Sequence, residues 1–194
     1  MEAKLLIVGQ GGAGKTSLKR KLHDVNDKMP EPEDTTRGID VTQLDCKTNN
    51  GEDFRLNIWD FGGQNVQHYA HQFFLTGSSL YALVTNEREQ NPNFQYWLNI
   101  IEMLGGKSPV LIVQNEIAGH SEPIKNAAAI RERFENVVNP FQQVDLSKAS
   151  SDGRFKNLKE AIIHHALQLP HIGKEYPTSY VRVREALERE AKEK

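Results

Sequence analysis

The chain has 194 residues, of which 38% are hydrophobic and 26% charged, and a formal net charge of −2. That length supports one globular domain with a sizeable core, and the near-neutral balance removes any general electrostatic case for a nucleic acid or an anionic membrane as partner. The single cysteine, Cys46, permits no internal disulfide and fits a reducing, cytoplasmic compartment. No apolar run approaches the roughly 20 residues that span a bilayer, and no secretory leader is visible.

Lys4-Leu5-Leu6-Ile7-Val8 reads as a short apolar strand, and Ser17-Leu18-Lys19-Arg20-Lys21-Leu22 as the start of a helix. Between them, Gly9-Gln10-Gly11-Gly12-Ala13-Gly14-Lys15-Thr16 is a complete G-x-x-x-x-G-K-[ST] loop. Such a loop curls so that successive N–H groups point at phosphate oxygens, and the following helix adds its positive dipole end. Gly11, Gly12, Ala13, Gly14, Lys15, Thr16 and Ser17 are the candidate phosphate cradle. In that pattern Lys15 bridges the terminal phosphates and the Thr16 hydroxyl ligates Mg²⁺. A glycine-rich turn that binds nothing is the alternative, and the strand–loop–helix context argues against it.

The helix is predicted over about Lys15 to Asn26, with Leu18, Leu22 and Val25 on one face. Lys28 to Thr36 is polar, holds two prolines and reads as a loop. Ile39 to Leu44 alternates like a half-buried strand, Asn49-Asn50-Gly51 is a hairpin turn, and Phe54 to Trp59 returns. Leu80 to Val84 is a buried strand, and Asn91-Pro92 caps a helix that carries Phe94, Trp97, Leu98 and Ile101 toward the core. Val110 to Val113 is another apolar strand, followed by a helix from about Ile124 to Val138 with Ala127, Ile130, Phe134 and Val137 on one stripe. A strand near Phe141 to Leu146 and a helix from about Asn157 to Leu169 complete the series. Alternating strands and helices with continuous apolar strands predict a largely parallel sheet covered on both faces, with ligand at the carboxyl ends of the strands.

A second box, Trp59-Asp60-Phe61-Gly62-Gly63-Gln64, follows a strand and contains D-x-x-G-Q. An aspartate there can hold Mg²⁺, a glycine two or three residues later (Gly62 or Gly63) can bring its N–H to a γ-phosphate, and Gln64 can orient an attacking water. A solvated glutamine at a helix start is the other reading of Gln64. Between the boxes, Thr36-Arg37-Gly38-Ile39-Asp40 matches the T-x-G-[IV]-D pattern of many switch loops, with Thr36 toward the metal and γ-phosphate and Thr35 as its neighbour in the alternative register. The candidate metal ligands are therefore Thr16, Thr36 and Asp60. Arg37 has two readings: an arginine that acts on phosphates, in cis or across a dimer, and an ordinary surface arginine.

These boxes, together with His71-Gln72-Phe73-Phe74-Leu75-Thr76, Leu80 to Val84 and the tail Pro177 to Glu185, make the chain resemble the Ras-like GTPases. Within them it is most similar to the Roc domain of Roco proteins, relatives of the leucine-rich-repeat kinases. The resemblance implies an α/β fold of the Ras-like P-loop NTPase type: a mostly parallel six-stranded sheet with one antiparallel edge strand and helices on both faces. It implies Mg²⁺-dependent hydrolysis of GTP to GDP, with Gln64, Lys15 and Arg37 as catalytic candidates. The boundaries it suggests are 1–170 for the Roc domain and 171–194 for a linker and the start of a COR module. Its implied partners are a guanine nucleotide, the adjacent COR and leucine-rich-repeat domains of a larger protein, and a second copy in a homodimer.

Two base-reading boxes depart from the family pattern. Where N-K-x-D is usual the chain has Asn115-Glu116-Ile117-Ala118, and where S-A-K is usual it has Ser147-Lys148-Ala149. Asn115, Glu116, Ser147 and Lys148 remain the candidates for this side of the site. Ala118 stands in place of a bidentate carboxylate, which narrows the expected preference for guanine. A nucleotide-binding scaffold with little hydrolysis and relaxed base specificity is the competing function. An ATP-using P-loop enzyme is disfavoured by D-x-x-G-Q and Asn115. In the tail, Ser179 to Lys194 reads as a helix with Tyr180, Val183, Leu187 and Ala191 on a narrow stripe, either the opening of the COR module or a solvated terminal helix. His165 reads as a half-buried histidine on the last long helix rather than a metal ligand.

Overall fold

The computed structural model describes residues 1–31, 36, 38–48, 50–62, 77–86, 94–116, 124, 126–174, 183, 186 and 189. Its elements are β1 Glu2–Val8, α1 Lys15–His23, β2 Ile39–Lys47, β3 Asp53–Phe61, β4 Leu80–Asn86, α2 Phe94–Gly105, β5 Val110–Asn115, α3 Ala127–Arg133, β6 Gln142–Val144 and α4 Gly153–Leu167. The strands form one sheet in the order β2-β3-β1-β4-β5-β6. Only the hairpin pair β2·β3 is antiparallel among the described strands, and β2 is an edge. The hairpin turns through Gly51 at φ 81, a left-handed conformation that glycine adopts without strain.

The two-residue period of β1 divides the core. Leu5 and Ile7 face a cluster with Leu18 and Leu22 of α1 and Phe155, Leu158 and Ile162 of α4. Leu6 and Val8 face a second cluster with Phe94, Trp97, Leu98 and Ile101 of α2. β4 and β5 are buried along their whole length, as strands covered on both faces must be. The sheet is six-stranded and mostly parallel, with helices packed on both faces. Cys46 packs half-buried at the rim of the first cluster, where burial raises its thiol pKa.

Several boundaries differ from the sequence expectation, each for a local reason. α1 stops at His23 because Asp24 is extended, with its N–H on the Arg20 carbonyl. α3 ends at Arg133, so Phe134 and Val137 reach the core from non-helical chain. There the Asn136 and Val138 backbone bonds to Val110 on both sides, which competes with helix propagation. α4 starts four residues earlier than predicted because Asp152 caps it, accepting from the Arg154 N–H at 3.0 Å. β2 continues to Lys47 and β6 is confined to Gln142–Val144. The Asn91-Pro92 cap lies outside the described residues. Val183, Ala186 and Arg189 of the tail are helical and exposed.

Candidate functional site

The carboxyl ends of β1, β3, β4 and β5 meet at the loop between β1 and α1. The turn leaves β1 through Gly9 at φ 140, where a Cβ would lie 2.1 Å from the Val84 carbonyl oxygen of β4. Gly14 is left-handed at φ 105 and caps α1 without a side chain, so the first-turn N–H groups of the helix are left for the loop's own concavity. The Lys15 side chain is buried, and its Nζ donates to the Gln10 carbonyl at 2.7 Å. Two asparagines brace the loop from neighbouring strand ends. Asn86 Nδ2 donates to the Gly12 carbonyl at 2.9 Å, and Asn115 Nδ2 to the Ala13 carbonyl at 3.3 Å.

Next to this loop, three oxygens crowd together. Thr16 Oγ1 and Thr36 Oγ1 lie 2.8 and 2.9 Å from Asp60 Oδ2 and 2.8 Å from each other. Two hydroxyls bring two protons to three short O···O contacts, so one contact must go without hydrogen. Asp60 is fully buried, and its Oδ1 has no hydrogen-bond partner. An all-oxygen set with a proton deficit and an orphaned carboxylate oxygen fits a hard divalent cation such as Mg²⁺. Gly62 closes the cluster: its N–H donates to the Gly38 carbonyl at 2.9 Å, and a Cβ there would stand 2.2 Å from the Thr36 carbonyl oxygen.

On the opposite flank, Asn115 Oδ1 accepts from the Leu146 N–H at 3.3 Å, which joins the loop between β1 and α1 to the turn Leu146–Lys148. Asp145 caps that turn, accepting from the Ser147 N–H at 3.0 Å and pairing with Lys148 Nζ at 3.3 Å. Burial is the largest influence on the Asp145 carboxyl and pushes its pKa up, but the Ser147 and Lys148 contacts outweigh it and the net shift is downward. Glu116 is buried directly after β5, and its two oxygens accept from Arg154 at 2.8 Å each. Hydrogen bonding to Glu116, then to Asp152, raises the Arg154 pKa. The bond to Arg154 is also the main reason that the Asp152 pKa is lowered.

Residues 4–118 match the family model described as Ras of Complex, Roc, domain of DAPkinase. The chain belongs to the Roc family. A Roc-COR-CHAT protease from an unknown prokaryotic organism is 31% identical over 97% of this chain and 19% of its own length. A probable serine/threonine-protein kinase, pats1 of Dictyostelium discoideum, is 26% identical over 98% of this chain and 7% of its own. Among solved structures, Methanosarcina barkeri Roco2 RocCORdC bound to GDP superposes with a TM-score of 0.83 at 32% identity, covering 96% of this chain and 55% of that one. The chain thus spans about a fifth of the length of the first of these relatives.

Within this Roc domain, the structure brings together Gly11, Gly12, Ala13, Gly14, Lys15, Thr16, Ser17, Thr36 and Asp60 at one end of the sheet, with Asn115, Glu116, Ser147 and Lys148 on the adjoining flank. Arg37, Gly63, Gln64 and Ala118 lie outside the described residues, as do Thr35 and His71. No helix among the described residues is long and apolar enough to cross a membrane. Sequence reading passed over Asn86, Lys19 and Arg154. Asn86 carried a signal, a polar residue that ends the strand begun by the apolar run Leu80 to Val84. Arg154 carried none, since its partner is 38 residues away in the chain.

Proposed function

We propose that this Roc domain binds a guanine nucleotide together with Mg²⁺ and slowly hydrolyses GTP to GDP and phosphate, as a switch within a larger Roco-type protein. The oxygen cluster of Thr16, Thr36 and Asp60 beside the phosphate loop is the observation that carries this reading. The RocCORdC neighbour bound to GDP supports the choice of nucleotide.

In this mechanism the N–H groups of Gly11 to Ser17 wrap the β-phosphate, and Lys15 leaves the Gln10 carbonyl to meet the terminal phosphates. Thr16, Thr36 and Asp60 would hold the cation, which when bound neutralises charge on the β- and γ-oxygens. Gln64 orients the attacking water, Gly63 offers its N–H to the γ-phosphate, and Arg37 adds charge to the phosphates in cis or across a dimer. Asn115, Glu116, Ser147 and Lys148 shape the base side. Because Thr36 is shared between the switch loop and the cation site, loss of the γ-phosphate would release the segment ahead of β2. Residues 1–170 would form the catalytic domain and 171–194 the linker into a COR module. The leucine-rich-repeat domain and a second copy are the further partners proposed.

A scaffold that binds nucleotide with relaxed base specificity and barely hydrolyses it is the second reading. The Glu116–Arg154 pair favours it, because both Glu116 oxygens are already engaged and do not accept from a base edge. Single-turnover phosphate release from GTP separates the two. The switch reading expects Mg²⁺-dependent release at a rate on the order of 10⁻⁴ per second, as for an isolated Ras-like domain, with GTP affinity retained but turnover slowed in Gln64→Leu. Tight binding with no release above the buffer rate over a day would select the scaffold.

A further inference from the structure

Asp40 and Asp60 are direct cross-strand partners in the antiparallel β2·β3 ladder. Two carboxylates so placed repel, and one of them, Asp60, is fully buried. The chain answers this from a third element. Lys19 lies on α1 three residues after Thr16, hence on the same helix face. Its ammonium hydrogen-bonds Asp40 Oδ2 and stands 3.9 Å from Asp60 Oδ2, with its side chain only 9% exposed. Asp40 is half exposed, so the pairing holds the outer strand down onto the helix rather than sealing a charge in the core.

We propose that Lys19 is a positioning residue that serves as the resident counter-charge of the cation cluster. By binding Asp40 and neighbouring Asp60 at once, it keeps the leading end of β2, and Thr36 with it, over Thr16 when no divalent cation is bound. A cation on Asp60 would take over part of that charge balance. The leading end of β2 is then held in place in the empty state, while the segment ahead of Thr36 still follows the γ-phosphate. Lys19 itself is outside the ligand set of Thr16, Thr36 and Asp60, and its role does not require that the protein hydrolyse anything. The part of the proposal that concerns the cation rests on the proposed nucleotide function; the part that concerns β2 does not.

The test is amide hydrogen exchange on the full 194-residue chain, first with EDTA and no nucleotide, then with GDP and Mg²⁺. In EDTA, Lys19→Met should exchange at Asp40 and Thr42, whose N–H groups face β3 in the ladder, at least tenfold faster than the parent, with Val110 to Asn115 of β5 unchanged. Lys19→Arg should restore protection, because it keeps the charge. Lys19→Gln, which is neutral but hydrophilic, covers the case of a poorly folded Lys19→Met and should resemble it at β2. Equal protection of β2 in parent and neutral variants would overturn the proposal, as would acceleration spread evenly over β5. GDP and Mg²⁺ should return β2 of Lys19→Gln toward parental protection. If they alter neither protein, the nucleotide reading fails while the result in EDTA still decides the role of Lys19.

Discussion

Both carboxylate oxygens of Glu116 are held by the guanidinium of Arg154, Nη1 to Oε1 and Nη2 to Oε2, at 2.8 Å each. The fork is completed by Asp152, 2.8 Å from Arg154 Nη2. Glu116 follows β5 and Arg154 sits in the first turn of α4, so the pair ties the carboxyl end of β5 to the start of that helix. A buried acid at this position is therefore a neutralised, structural group.

Breaking that pair should cost stability more than a surface pair would. Glu116 is buried, but the Arg154 side chain is 47% exposed, so solvent compensates part of the loss. Glu116→Gln is expected to lower unfolding free energy by about 1–2 kcal/mol in urea denaturation. Arg154→Met should do the same, and the double variant should cost less than the sum. Additive losses would show that the two side chains act independently.

The same pair bears on base choice. A carboxylate restored at position 118 would meet a Glu116 already engaged by Arg154 rather than a bare like charge. Ala118→Asp should then tighten GDP binding by about 1–3 kcal/mol and widen the preference over ADP. Competition among GDP, IDP and ADP in the parent and the variant checks this; strong guanine selectivity in the parent would show that another group reads the base.

Gly62 has no room for a side chain, because a Cβ would sit 2.2 Å from the Thr36 carbonyl oxygen while the Gly62 N–H holds the Gly38 carbonyl. Gly62→Ala should separate the segment after β3 from that before β2. The expected outcome is at least fivefold faster release of a fluorescent GDP analogue in Mg²⁺, with the melting temperature nearly unchanged. Gly12→Ala, with open space around it but φ 79, should instead impair the loop itself. Unchanged release in Gly62→Ala would refute the contact's role.

Stability should also fall on mild acidification. His165 and His23 both have lowered pKa values, chiefly through burial, with His164 adding to the first and Lys19 and Lys159 to the second. A histidine whose folded pKa is depressed takes up protons more readily when unfolded, so its contribution is complete above 6.5 and is lost as pH falls below it. Melting temperatures between pH 7.5 and 5.5 should decline, and the slope should be shallower in His165→Gln. An identical slope would assign the loss elsewhere.

The sheet was legible because its strands announce themselves: Leu5 to Val8, Leu80 to Val84 and Val110 to Val113 are apolar runs bounded by polar or glycine-rich turns. The glycine loop after β1 and the box around Asp60 could be picked out because each is contiguous in the chain. What stayed hidden is non-local. Lys19 looks like any helix-surface lysine until the β2·β3 register sets Asp40 opposite Asp60. Arg154 and Glu116 meet only through the packing of α4 on β1, β4 and β6. The end of α3 was misjudged because Phe134 and Val137 keep helical spacing while the backbone between them turns to pair with Val110.

The central claim is that this end of the sheet grips a nucleotide through its phosphates. Calorimetric titration of GDP in Mg²⁺ into the parent chain and into Lys15→Ala tests it most directly, with circular dichroism to establish that both are folded. The account predicts one GDP bound per parent chain and at least tenfold weaker binding in Lys15→Ala, because a charge-assisted contact to the phosphates is lost. No binding by the folded parent, or equal affinity in the two proteins, would contradict it.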